Sequence, residues 1–270
     1  MEKWSSTSER PVALVTGASS GIGAAYARAL TEGGYAVILC GRNEVKLRAI
    51  QDQTGGDILL ADLGTGAGLA AVEARIANEE RCDFLVNNAG FGTKGRFWEG
   101  DLSEQDAMHR VHVMATMRLT ATALPRMVRR DRGNIVNVSS VAAWMPAIGS
   151  ISYSATKAWM NSFTEGLWLE LKSAKTAVRV QALCPGFTRT DFHETLHMDV
   201  SRIPNSLWTS PEEVVNASLN GLARHEPFVI PGWRYRAWLG MQKFLPRAAL
   251  HTIAAKSAEQ FRPDPVIARR

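Results

Sequence analysis

The chain predicts an α/β fold, a Rossmann-type doubly wound parallel sheet of about seven strands with helices on both faces. Short apolar runs bounded by Gly, Asn or Asp alternate with stretches of helical periodicity, the pattern of right-handed βαβ units. The first of these runs feeds a glycine-rich turn, Thr16-Gly17-Ala18-Ser19-Ser20-Gly21-Ile22-Gly23, that opens a helix. A length of 270 residues suffices for one such sheet, so residues 1–270 are expected to form a single domain.

In order along the chain, the strand-like runs are residues 12–16, 36–40, 57–60, 84–87, 134–138, 179–183 and 228–230. Between them, apolar residues recur at helical spacing over 21–31, 44–53, 66–78, 104–129, 152–173 and 211–224. The last helix begins well, with Ser210 as N-cap and Pro211 at the first helical position. Residues 191–209 form the one long connection without strong periodicity. Beyond the last strand, residues 231–261 interleave Trp233, Trp238, Phe244 and Leu245 with Arg234, Arg236, Lys243 and Arg247, the pattern of an amphipathic helical extension.

Composition bounds the function. Hydrophobic content of 46% and charged content of 21% are those of an ordinary globular protein. No window reaches the roughly 18 apolar residues of a membrane span, and the N-terminus lacks a signal-like apolar core, so the expected location is cytoplasmic. Cys40, Cys82 and Cys184 stand singly in or beside apolar runs and read as small buried hydrophobes rather than metal ligands or disulfides. Net charge is +5 with no basic block long enough for a nucleic-acid arm, and no nucleic-acid partner is expected.

The chemistry lies in two places. At the glycine turn, Gly17, Gly21, Ile22 and Gly23 would bring backbone N–H groups and a positive helix terminus against a pyrophosphate. At the end of the second strand, where an acidic residue would hold the ribose of NAD, the chain has Gly41-Arg42. A guanidinium there suits the 2′-phosphate of NADP(H), with a hydroxyl from Ser19 or Ser20; NAD(H) is the less favoured cofactor. The second place is Tyr153-x-x-x-Lys157, thirteen residues after Ser140. A phenol has an ordinary pKa of about 10, and an ammonium one helical turn away favours its ionised form.

These motifs, with Asn87-Asn88-Ala89-Gly90 and Pro185-Gly186-Phe187-Thr188, occur in an order that resembles the short-chain dehydrogenase/reductase family from about Val12 to about Phe228. The resemblance implies an NAD(P)-dependent oxidoreductase acting on a small-molecule carbonyl or alcohol. Tyr153 would be the acid–base residue, Lys157 its electrostatic partner and a ligand of the nicotinamide ribose, and Ser140 a donor to the substrate oxygen. Asp62 and Leu63 would flank the adenine, and Asn88, Ala89 and Gly90 would line its ribose. Pro185, Gly186 and Thr188 would meet the nicotinamide, residues 191–209 would form a substrate flap, and the long helices would join a homodimer or homotetramer.

One catalytic position departs from the family. Many relatives carry an Asn where Val111-His112-Val113 aligns, and His112 either takes over its proton-relay water or is a packed histidine. His193-Glu194-Thr195-Leu196-His197 matches a zinc-site spacing, but without a third ligand or a supporting fold it is read as coincidence, and no metal is expected. Trp144, Met145, Phe187, Phe192 and Trp208 suggest a bulky hydrophobic substrate. The C-terminal aromatics would cover the pocket or a partner subunit, or contact a membrane surface peripherally. The rival readings are an NAD-preferring dehydrogenase and a cofactor-binding regulator with an idle redox site.

Overall fold

The computed structural model describes residues 10–93, 95–145, 148–192, 203–242, 244–246 and 248–253. Seven parallel strands form one sheet in the order β3-β2-β1-β4-β5-β6-β7. They are β1 (Val12–Thr16), β2 (Ala36–Gly41), β3 (Asp57–Leu60), β4 (Cys82–Asn87), β5 (Asn134–Val138), β6 (Arg179–Leu183) and β7 (Phe228–Val229). Strand order reverses between β1 and β4. The carboxyl ends of those two strands therefore open the crevice in which doubly wound sheets bind ligands.

The alternation of side chains along each strand divides the core into two layers. Ala13 and Val15 of β1 join Val37, Leu39, Val136 and Val138 on one face, covered by α1 (Gly21–Glu32), α2 (Glu44–Thr54) and the later helix α7 (Pro211–Ala223). Leu14 points the other way with Ile38, Leu85 and Ile135, covered by α3 (Gly66–Asn78), α5 (Thr116–Arg129) and the C-terminal part of α6 (Ile151–Ser173). Burial pushes the Cys40, Cys82 and Cys184 thiols up to about 12, which keeps them protonated and inert. At α7, Ser210 and Glu213 form a capping box ahead of Pro211.

Two expectations are corrected. The fourth strand begins at Cys82 rather than residue 84, since Cys82 pairs with Val12 of β1 across a register shift at Asp83, and both Cys82 and Asp83 are buried. The helix expected over 104–129 is not continuous. It consists of α4 (Leu102–His109), a π turn at Arg110–Ala115 and α5. A π turn carries i→i+5 hydrogen bonds, and it holds His112 fully buried against the rest of the site.

Of the C-terminal extension, Trp233–Gln242 forms helix α8. Tyr235, Trp238 and Leu239 are half-buried on its inner side, while Trp233 is exposed. Residues 243, 247 and 254–261 of that extension lie outside the described residues, as do residues 193–202 of the expected flap with the His193–His197 motif. No helix among the described residues is long and apolar enough to cross a membrane.

Candidate active site

The glycine turn sits at the carboxyl end of β1, with Gly17 and Gly21 in the left-handed region at φ 65° and 54°. Gly23 is required by proximity. A Cβ there would stand 2.6 Å from Asn88 Nδ2 and closer still to the Gly17 carbonyl oxygen. Asn88 holds the turn from the neighbouring strand: its Nδ2 donates to the carbonyls of Thr16 at 2.9 Å and Gly17 at 3.1 Å. Thr16 Oγ1 in turn accepts from the backbone N–H of Asn88 and Ala89. Ser20 is the N-cap of α1, yet its side chain makes no capping bond. The cradle so formed, bare of side chains where backbone donors converge, fits a pyrophosphate.

Beyond β2, Arg42 extends into solvent, with Asp62 Oδ2 3.8 Å from its guanidinium. Asp62 Oδ1 also accepts from Gly64 N–H at 2.9 Å. Leu63 is buried in the core layer under α3.

Tyr153 and Lys157 lie in the first turns of α6. Lys157 is buried, and its Nζ donates to the Val138 carbonyl at 2.7 Å and stands 5.7 Å from the centre of the Tyr153 ring. Loss of hydration brings its pKa down to about 8. Ser139 and Ser140 divide as strand alternation predicts. Ser139 is buried and donates to the Lys157 carbonyl at 3.0 Å, whereas Ser140 is half-buried and its Oγ accepts from Ala142 N–H at 3.1 Å. The Ser140 hydroxyl proton is left for a further acceptor.

His112 has both ring nitrogens engaged. Phe91 N–H donates to Nε2 at 3.1 Å, which assigns the proton to Nδ1, 2.9 Å from Thr156 Oγ1. Thr156 in turn donates to the Tyr153 carbonyl at 2.8 Å. Burial first, then the Lys157 charge, drive the imidazole pKa well below its ordinary value, so the ring is neutral. Gly90 makes room for it, since a Cβ there would lie 2.6 Å from Nε2. The Tyr153 ring packs between His112 and Phe192, each with its ring centre 5.8 Å away.

The loop after β6 closes the site. Pro185 is buried and its carbonyl accepts from Val141 N–H at 3.1 Å, tying this loop to the one that carries Ser140. Thr188 is buried and turns its hydroxyl to the Gly186 carbonyl at 3.2 Å and to Thr209 at 3.4 Å. Further along, Thr190 lies over the glycine turn, where a Cβ on Gly21 would meet its Cγ2 at 2.8 Å, and Asp191 pairs with Lys46 at 2.6 Å.

Several contributors escape sequence reasoning. A buried polar chain runs from Asn87 to Asn137 at 2.8 Å and on to Thr164 at 2.9 Å, joining β4, β5 and α6 beneath the site. Tyr235 of α8 accepts from Phe187 N–H at 3.0 Å, and Trp238 Nε1 lies 3.0 Å from Met145 Sδ. A buried asparagine within each apolar strand run, Asn87 in β4 and Asn137 in β5, was a signal for the first; nothing local marks the others.

Residues 11–200 match the family model described as short chain dehydrogenase. The chain is 33% identical over 220 residues to the 3-oxoacyl-(acyl-carrier-protein) reductase of Aquifex aeolicus, covering 77% of this chain and 88% of that one. Among solved structures it is similar to a short-chain dehydrogenase from Sphingobium yanoikuyae in complex with NADPH, at a TM-score of 0.76 and 36% identity over 86% of this chain and 94% of that one. It is also similar to the bulky-bulky ketone specific alcohol dehydrogenase of Comamonas testosteroni, at 0.74 and 31%, covering 90% and 94%. The matched stretch holds both the cradle after β1 and the Tyr153–Lys157 turn that the fold gathers at the carboxyl ends of the strands, and the chain is an oxidoreductase of the short-chain dehydrogenase family.

Proposed function

We propose that the protein uses NADP(H) to interconvert a carbonyl and a secondary alcohol, with a hydrophobic substrate. The observation that carries this reading is the buried Lys157 ammonium beside the Tyr153 ring, at the same carboxyl end of the sheet as the glycine cradle. The complex of the Sphingobium yanoikuyae relative with NADPH and the bulky-ketone specificity of the Comamonas testosteroni relative support it.

The glycine turn would hold the pyrophosphate, Arg42 with Ser19 or Ser20 the 2′-phosphate, Asp62, Asn88, Ala89 and Gly90 the adenosine half, and residues 185–188 the nicotinamide. Bound there, the cofactor supplies the hydride. Ser140 donates to the substrate oxygen and Tyr153 passes its phenolic proton to that oxygen as negative charge develops. Lys157 stabilises the phenolate left behind. His112, neutral and bonded at both nitrogens, braces the loop after β4 against α6 and relays no proton in the reaction. The outer faces of α5 and α6 form the contact of a homodimer or homotetramer. Initial rates on a panel of ketones and alcohols with NADPH, NADH, NADP+ and NAD+, followed by nicotinamide absorbance, test the assignment; no turnover with any pair overturns it.

Arg42→Asp is expected to move cofactor preference toward NAD(H). It removes a charge-assisted contact of about 1.5–3 kcal/mol, roughly ten- to a hundredfold in affinity. Because Arg42 is largely solvent-exposed and also faces Asp62, the lower end of that range is expected. Titration of both cofactors against both proteins decides it, and an unchanged ratio removes Arg42 from the phosphate site.

Reductive turnover should fall as pH rises through about 8, where the buried Lys157 loses its proton and with it the charge that stabilises the Tyr153 phenolate. The direction follows from burial, which lowers the lysine pKa, so the charged form prevails on the acid side. No second limb at ordinary histidine values is expected from His112. A kcat profile across pH 6–10 in the wild type and Lys157→Met checks both points: the variant should be nearly inactive, and its residual rate should lack the limb.

A further inference from the structure

Resting on that proposed function, we propose that Tyr235 is a positioning residue for the nicotinamide-side loop, residues 185–188, so that the C-terminal helix α8 sets the geometry of hydride transfer. Three separate features of one side chain converge on this loop. The Tyr235 ring lies flush on Gly186, where a Cβ would run into the ring itself, so the missing side chain at Gly186 makes room for a residue 49 positions later. Its hydroxyl accepts from Phe187 N–H at 3.0 Å and donates to the Leu207 carbonyl at 2.7 Å, filling both roles a phenol offers. Burial raises its pKa, which keeps the donor proton in place.

The contact fixes backbone rather than merely covering it. Phe187 is held from both sides, its N–H by Tyr235 and its carbonyl by Thr209 N–H at 3.0 Å. Thr188, the next residue, is thereby set against Thr209. The helix bearing Tyr235 has its own anchors, with Arg234 donating to the Ser206 carbonyl at 3.1 Å and Trp238 Nε1 on Met145 Sδ at 3.0 Å. One phenol thus joins the loop after β6, the turn at Asn205–Leu207 and α8. A phenylalanine would fill the same space and leave both backbone groups without this partner. The hydroxyl is what the loop requires beyond packing.

The test is Tyr235→Phe in the full chain. Amide exchange read by mass spectrometry should accelerate at residues 185–188 and not at the glycine turn. For ketone reduction kcat should fall about tenfold, as misplacement of a reacting group does. NADPH affinity, read by fluorescence without turnover, should change less than about threefold, because the phosphate anchors lie at the other end of the site. Combined with Thr188→Ala, the loss should be smaller than the product of the two single losses, since both act through one loop. Unchanged loop exchange, an unchanged kcat, a lowered thermal midpoint with kcat intact, or losses that simply multiply would each overturn the inference while leaving the proposed function standing. Wild-type protein that binds no NADPH would overturn both.

Discussion

Tyr153→Phe should retain the fold and NADPH affinity while losing turnover by about 10²–10⁴-fold, the range set by a positioned general acid. The substitution removes one oxygen and keeps the ring between His112 and Phe192, so the packing of α6 is undisturbed. Lys157 keeps its own anchor on Val138. The loss should therefore fall on kcat with little change in thermal midpoint, as measured by initial rates beside a binding titration and a melting curve. A variant retaining a tenth of wild-type turnover would mean that another group delivers the proton.

Gly23→Ala should abolish usable cofactor binding and destabilise the fold by about 1–3 kcal/mol, the cost of forcing a methyl into a closed space. The new carbon meets the Gly17 carbonyl and Asn88 Nδ2, neither of which can retreat without breaking the hydrogen bonds that shape the cradle. Gly166→Ala is the matched control. It lies within α6 with open space around it, and replacing a helical glycine there should be neutral or stabilising by up to about 1 kcal/mol. Isothermal titration with NADPH and thermal melts of both variants decide the matter; NADPH binding retained by Gly23→Ala would remove the glycine turn from the pyrophosphate site.

Much of this architecture was readable because local signals agreed with the fold. The runs at β1, β3, β5 and β6 and the helix α3 end where the apolar pattern and the bounding Gly, Asn or Asp residues place them. Tyr153, Lys157 and Ser140 were legible for a similar reason, as strand alternation separates Ser139 from Ser140 and helical spacing joins the other two. The π turn was not legible, because its residues keep the apolar character of a helix and differ only in which carbonyl each N–H reaches. The two bonds of His112 run to Phe91 and Thr156, 21 and 44 residues away, and that of Tyr235 to Phe187 spans 48. Such ties follow from tertiary packing, which no window along the chain contains.

The π turn at Arg110–Ala115 also bears on how the length of this chain can vary. A π turn takes up one residue more than an α-helix would over the same arc, so α4 and α5 meet with a phase offset of about 100° from a continuous helix. Deleting a residue inside the turn would let it relax to regular α-helix while Leu119, Ala123 and Met127 keep their places in the core. The same deletion within α5 would rotate that apolar face away from the sheet. Gains and losses of single residues along this helical stretch are therefore tolerable at one point, and it is the point that carries His112.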